Sequence, residues 1–194
     1  MDFKELVKIS GKLEDVFAVW GFGGGWAIDG TVGKVTRAHD DVDICILRED
    51  LAEWREVWPD ANWFKMVEGR EVPMGAEEVP ELPVYELHVR DGAALYEILL
   101  LETVGEDWVD RRDARIKMPV EEAFVAGVER LPFLNPAIAL LFKSQNIREK
   151  DVKDFKAVLP FLSGFEAEWL INSLKLMYGE HIWLTALREK KHGL

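Results

Sequence analysis

Between Gly24 and Ile46 the chain reads GGWAIDGTVGKVTRAHDDVDICI, a stretch that crowds Asp40, Asp41 and Asp43 beside Arg37 and His39. Val42 to Leu47 is an apolar, β-rich run and is predicted as a strand. Side chains alternate between the faces of a strand, so Asp41 and Asp43 point one way, with Cys45 deeper on their side. Val42, Ile44 and Ile46 point the other way, into a core, and Asp40 is expected to be solvated. Two carboxylates about 7 Å apart on one face can converge on a common ion. Left without a cation, they repel at the end of a buried strand. Mg²⁺ suits them: it is hard, prefers oxygen, and takes one or two carboxylates together with substrate phosphates.

Gly24 and Gly25 precede this pair, between a predicted strand at Val19–Phe22 and a predicted short helix at Trp26–Val32. Bare backbone N–H groups at a helix start favour phosphate; a tight turn with positive φ would use the same glycines. No Lys-Ser or Lys-Thr follows at the spacing of a GxxxxGK loop, and the dinucleotide fingerprint is missing too. The chemistry indicated is therefore a metal-bound nucleotide held at a strand terminus.

The elements that must position these groups follow from periodicity. Residues 2–18 have helical apolar spacing, and Asp50–Trp58 reads as an amphipathic helix. Residues 59–82, rich in Pro, Gly and Glu, give no assignment. Val84–Val89 and Leu95–Leu101 flank Arg90-Asp91-Gly92-Ala93, a strong hairpin signal. Asn135-Pro136 is a helix start, a capping residue followed by proline in the first turn. Further helices are expected at Asp151–Leu159, Glu166–Tyr178 and His181–Lys191. The order predicts an α/β (α+β) fold: a mixed sheet flanked by helices in residues 1–132 and a helical subdomain in 133–194.

Composition narrows the function classes. The 194 residues are 48% apolar and 31% charged, ordinary for a globular protein, with 36 acidic against 24 basic residues and a net charge of −12. Affinity for a phosphate backbone comes from basic surface, so nucleic acid is an unlikely partner. Acidic fields favour cationic partners, although solubility alone explains many acidic proteins. No run approaches the roughly 20 apolar residues of a membrane span. No secretory leader is visible, and one cysteine excludes a disulfide framework or a cysteine-rich zinc site. A cytoplasmic protein is expected.

The motif Gly24-Gly25-Trp26-Ala27-x-Asp29, followed by Arg37-x-His39-x-Asp41-x-Asp43, resembles the opening of the aminoglycoside 2″-adenylyltransferase-like family. That family lies within the polymerase-β-type nucleotidyltransferase superfamily, and the chain is similar to lincosamide nucleotidyltransferases as well. Tyr96-Glu97-Ile98-Leu99-Leu100, Trp108 with Arg111-Arg112-Asp113 and Pro119, Leu131-Pro132-Phe133-Leu134-x-Pro136, Leu141-Phe142-Lys143 and Lys150-Asp151-x-x-Asp154-Phe155 continue the resemblance, from about residue 20 to about 160. It implies a nucleotidyltransferase-type mixed sheet and a two-Mg²⁺ transfer. In that transfer a hydroxyl attacks the α-phosphate of a nucleoside triphosphate and pyrophosphate leaves. Asp41 and Asp43 take the places of the first two metal ligands. The third carboxylate, ligand and candidate base, is assigned to Glu97, with Glu86 and Glu102 as alternatives; alternation puts Glu102 on the face opposite Glu97.

AMP from ATP is the expected donor, and the acceptor is a small, cationic molecule of aminoglycoside type. A protein or RNA acceptor, and a nucleotide-binding module without catalysis, are the alternative readings. Gly24, Gly25, Arg37, His39 and Lys143 are the nucleotide-binding candidates. Arg37 is expected to pair with Asp29, and His39 either orients an aspartate or contacts nucleotide. Lys143 either snorkels or reaches the triphosphate, and the resemblance favours the latter. Lys150, Asp151 and Asp154 are expected to cap and pair at a helix start, and the resemblance keeps a ligand role open for them. Arg111 and Arg112 are open between phosphate and surface pairing. The eight tryptophans are expected to be chiefly core, with stacking on a base or sugar the alternative for Trp63 and Trp108, which fall in loop-like segments.

Overall fold

The computed structural model describes residues 1–192. Helix α1 (Phe3–Lys12) starts at a capping box in which Asp2 accepts from the amides of Lys4 and Glu5 while Glu5 reaches back to Asp2. Next come β1 (Trp20–Phe22), α2 (Gly24–Val32), β2 (Asp43–Leu47), α3 (Leu51–Val57), β3 (Asn62–Val67) and β4 (Arg70–Pro73). The middle of the chain is β5 (Glu86–Asp91), β6 (Ala94–Val104), β7 (Asp107–Asp110), β8 (Asp113–Pro119), the single turn α4 (Val120–Ala123), β9 (Phe124–Ala126) and β10 (Pro132–Leu134). The described residues end with α5 (Pro136–Lys143), α6 (Glu149–Val158), α7 (Gly164–Tyr178) and α8 (Leu184–His192).

The strands form one mixed sheet in the order β4-β3-β5-β6-β2-β1-β10-β9, with β7 and β8 continuing from the far end of β6. Strand β2 runs parallel to β6 and antiparallel to β1, and β1 runs parallel to β10. The hairpin signal at Asp91-Gly92 is realised: Asp91 pairs with Ala94 across a two-residue turn whose Gly92 has φ of 59°.

Alternation along β2 divides the core in two. Ile44 and Ile46 pack with Ile98, Leu100, Leu87 and Val89 on the face covered by α1 and α3. Cys45 and Leu47 pack on the other face with Leu101, Ala137, Ile138, Leu141, Phe155 and Leu170. Helix α5 is buried nearly all round, as its apolar composition requires, and is capped as predicted: Asn135 accepts from the amide of Ala137 with Pro136 in the first turn.

Two segments differ from the sequence reading. Residues 62–73, unassigned above, form the edge hairpin β3–β4, turned at Glu68-Gly69 where both residues have positive φ. Trp108 and Trp63 lie not in loops but in β7 and β3, 1% and 8% exposed, and act as core residues. Trp108 packs against Phe142 and Trp169, and Trp63 against Trp58. Periodicity missed these strands because both faces carry bulky or mixed side chains, which hides a period of two.

Candidate active site

The residues singled out for chemistry converge on one cleft of about 410 Å³, between the start of β2 and helices α5 and α6. Gly24, Gly25, Arg37, Asp41, Asp43, Glu97 and Lys143 all line it. His39 does not. Its ring is buried, packs against Trp26 at a tilt of 33° with centroids 4.2 Å apart, and its Nε2 lies 2.6 Å from Oδ2 of Asp29. Of the two roles left open for His39, orienting an aspartate is the one the contacts support, and the aspartate is Asp29.

Parallel register places Asp43 directly beside Glu97, so these two carboxylates share a face by backbone pairing alone. Asp41 lies just before the strand, exposed, its carbonyl accepting from Nε1 of Trp26 at 3.0 Å. Glu102 lies on the opposite face and is bound by Nε of Arg48 at 2.5 Å, away from the cleft. Glu86 is on the Glu97 face. It forms with His88 and Glu97 a group whose ligand atoms all lie within 4.8 Å of one another, the one such triple among the described residues. His88 is held from its other side by Glu71 on β4, 2.8 Å from Nδ1.

The carboxylate wall is electrostatically strained. Burial, then the charges of Asp41 and Glu97, push Asp43 up to about 7. Burial and the charges of Asp41 and Glu86 raise Glu97 as well. Among the described residues no side chain donates a hydrogen bond to Asp43. A half-buried carboxylate without a donor, flanked by two others, is a site short of positive charge. The donor set is all oxygen, which fits a hard divalent cation such as Mg²⁺.

The glycine pair is required by contact. Gly24 has φ of 53°, and a Cβ there would run into the Asp43 carboxylate. A Cβ on Gly25 would strike the guanidinium of Arg37 and the ring of His39. The glycines therefore bring the start of α2 flat against the carboxylate and the arginine.

Arg37 crosses Gly25 and binds Asp154 rather than Asp29, with Nε and Nη2 at 2.9 and 3.2 Å from its two oxygens. The expected Arg37–Asp29 pair does not form because His39 and Thr36 already occupy Asp29. Lys143, 8% exposed, lies 3.0 Å from Asp154 and 3.6 Å from Asp151. Arg148 grips Asp151 through Nε and Nη2 at 2.8 and 3.1 Å. Burial alone would raise both aspartates, yet Arg37 and Lys143 hold Asp154 low, and Arg148 and Lys143 hold Asp151 low. Asp151 does cap α6 as expected, accepting from the amide of Arg148. Asp154 lies one turn in, behind the cleft lining, and binds Arg37 and Lys143, which do line it.

This second wall faces the first. The charge of Asp41 is felt at Arg37 and Arg148, and that of Lys150 at Glu97. Arg148, Asn146 and Gln145 line the cleft and escaped the sequence reading; the cluster Arg148-Glu149-Lys150 after a buried helix was the available signal. Arg112 binds Asp110 and the carbonyl of Leu141, while Arg111 lies over the ring of Tyr85; neither lines the cleft.

Comparison with known proteins agrees with this architecture. The solution structure of the antibiotic-resistance factor ANT(2″)-Ia is 17% identical with a TM-score of 0.63, and the match covers 100% of both chains. Lincomycin-bound lincosamide antibiotic adenylyltransferase LnuA is 19% identical with a TM-score of 0.55, covering 80% of this chain and 94% of its own. An antigenic nucleotidyltransferase-like protein from Paracoccidioides brasiliensis is 15% identical with a TM-score of 0.51, over 98% and 93% of the two chains. The chain thus has a nucleotidyltransferase fold. No curated protein sequence matches it. Residues 5–72, which include Gly24, Gly25, Arg37, His39, Asp41 and Asp43, match the aminoglycoside-2″-adenylyltransferase family model, so the resemblance read from those motifs stands. Among the described residues no helix is long and apolar enough to cross a membrane.

Proposed function

We propose that the protein transfers a nucleoside monophosphate, AMP from ATP, to a hydroxyl of a small cationic acceptor and releases pyrophosphate. The observation that carries this reading is the polarity of a single cleft. Asp41, Asp43 and Glu97 stand on one side, and Arg37, Lys143, Arg148 and Lys150 on the other. A nucleoside triphosphate with its metal has that polarity in reverse: phosphate oxygens meet the cations, and the metal meets the carboxylates.

Asp41, Asp43 and Glu97 would hold Mg²⁺, which when bound offsets charge on the attacking and leaving oxygens. The backbone at Gly24 and Gly25 approaches the phosphates closely because no Cβ intervenes. Lys143, Arg37 and Arg148 bind the phosphates and orient the α-phosphorus for in-line attack. Glu97, on the face of Asp43 and lining the cleft, takes the proton of the acceptor hydroxyl. Helices α5 and α6, from the 133–194 part of the chain, close the nucleotide side of the cleft. Glu86 on the Glu97 face and the net charge of −12 favour a cationic acceptor beside Glu97. Support comes from the relatives: one solved ANT(2″)-Ia complex holds adenylyl-2″-tobramycin, at 16% identity, a TM-score of 0.60, and 90% and 97% coverage.

The test is pyrophosphate release by the purified chain with Mg²⁺, each of the four nucleoside triphosphates, and a panel of aminoglycosides, lincosamides and neutral sugars. Release with ATP and a cationic hydroxylated acceptor, lost in Asp41→Asn and Asp43→Asn, is expected. Full turnover in either variant would refute the metal assignment. Nucleotide binding without turnover across the panel would replace an enzyme with a binding module.

A further inference from the structure

Asp154 and Asp151 are the two buried carboxylates that each meet two cations of the cleft, and Asp154 alone ties Lys143 to Arg37 across the fold. Its side chain is 1% exposed and stands between Arg37, from the segment joining α2 to β2, and Lys143, at the end of α5. The Arg37 contact spans 117 residues of sequence. Enclosing a carboxylate so fully is costly unless its partners are held in good geometry. Both of its oxygens meet Arg37 in a fork, and one also meets Lys143.

Donor arithmetic shows what this arrangement leaves over. Lys143 has three N–H donors; only Asp154, at 3.0 Å, is within hydrogen-bond distance, and Asp151 at 3.6 Å is an ion pair, so at least one donor remains for the cleft. Arg37 has five; Nε and one N–H of Nη2 go to Asp154 and one of Nη1 to the carbonyl of Ala38. One N–H on each terminal nitrogen remains. Without Asp154, the four-carbon stem of Lys143 and the segment carrying Arg37 regain rotamers that point elsewhere.

We propose that Asp154 is a positioning residue for nucleotide binding: it aims the uncommitted donors of Arg37 and Lys143 together at the phosphates. This rests on the reading of Arg37 and Lys143 as phosphate contacts. Two physical roles for Asp154 predict opposite signs. As a positioning group, its loss weakens nucleotide binding although a negative charge has been removed. As a mere neutraliser of two cations, its loss strengthens binding, because phosphate no longer competes with a carboxylate.

The experiment is calorimetric titration of the full chain with Mg–ATP, and with the other three triphosphates, for wild type, Asp154→Asn, Asp154→Glu, Arg37→Gln and Lys143→Met, with thermal unfolding of each as a control on folding. Asp154→Asn is expected to raise Kd about ten- to hundredfold. Asp154→Glu, which keeps the charge, is expected to recover part of that loss. In the Lys143→Met background, Asp154→Asn should cost markedly less, since part of what it positions is gone. If Arg37→Gln and Lys143→Met weaken binding while Asp154→Asn leaves it unchanged or tightens it, the positioning role alone falls. If Arg37→Gln and Lys143→Met also leave Kd unchanged, the phosphate reading and this proposal fall together. Should Asp154→Asn not fold, Asp154→Glu decides: wild-type or tighter Kd in that variant refutes the positioning role.

Discussion

Asp43→Asn should make the metal-free protein more stable at alkaline pH while abolishing transfer. Burial and the neighbouring carboxylates push Asp43 from 3.8 up to about 7. A raised carboxylate pKa means that the folded state holds a proton the unfolded chain has already released. The cost of ionising Asp43 in the fold is thus absent below the unfolded value, grows as pH rises toward 7, and levels off above it. At about 1.36 kcal/mol per unit the full cost is on the order of 4 kcal/mol. About 3 kcal/mol of it accumulates between roughly pH 4.5 and 8. Asparagine has nearly the same shape and no charge, so the stability gap between Asp43→Asn and wild type should open by that amount across the interval. For a chain of this length the gap corresponds to a shift in Tm of roughly 6–12 °C. The assay is urea unfolding of both proteins in EDTA at the two pH values. Subtracting one protein from the other cancels the titration of groups that do not feel Asp43, and the gap reports Asp43 together with its coupling to Asp41, Glu86 and Glu97. Added Mg²⁺ at pH 8 should then narrow the gap by stabilising wild type. A gap that is constant with pH, or that closes as pH rises, would show that Asp43 is not the charge-starved group described here.

Three further outcomes follow from the same contacts. Gly24→Ala should cost about 1–2 kcal/mol in stability from its positive φ and displace Asp43, so calorimetry should show weaker Mg–ATP binding than in wild type. His39→Ala should lower stability by about 2–4 kcal/mol in a denaturant titration, because it removes the partner of buried Asp29; unchanged stability with weakened nucleotide binding would make His39 a ligand contact instead. Glu97→Gln should reduce transfer at least about a hundredfold, while Glu102→Gln, on the opposite face and paired with Arg48, should stay within about threefold in a pyrophosphate-release assay.

Hairpins, caps and strand faces were legible where the governing interactions are local. Gly92 between two apolar runs, and Asn135 before Pro136, leave few other conformations, and the structure adopts them. The edge hairpin β3–β4 was not legible, although Glu68-Gly69 was a usable turn signal, because β4 is exposed along its whole length and β3 has no clean alternation of apolar and polar residues. The convergence of Gly24, Gly25, Arg37, Asp41, Asp43, Glu97 and Lys143 on one cleft agrees with the motif reading, whereas the partner chosen for Arg37 does not.

The reason lies in distance along the chain. By itself the sequence determined that Asp43 and the core residues Ile44 and Ile46 must lie on opposite faces of one strand, because a period of two is a backbone property. It also offered glycines for a turn with positive φ, and the structure sets Gly24, at φ of 53°, against the Asp43 carboxylate. Tertiary structure alone decided which carboxylate lies beside Asp43, since the register of β2 against β6 depends on packing both faces of the sheet at once. It decided the ion pairs as well. Arg37 had Asp29 eight residues away and took Asp154 117 residues away, because Asp29 had already been enclosed by His39 and Thr36. A buried charge takes whichever partner the fold leaves within reach, and that choice has no local signature.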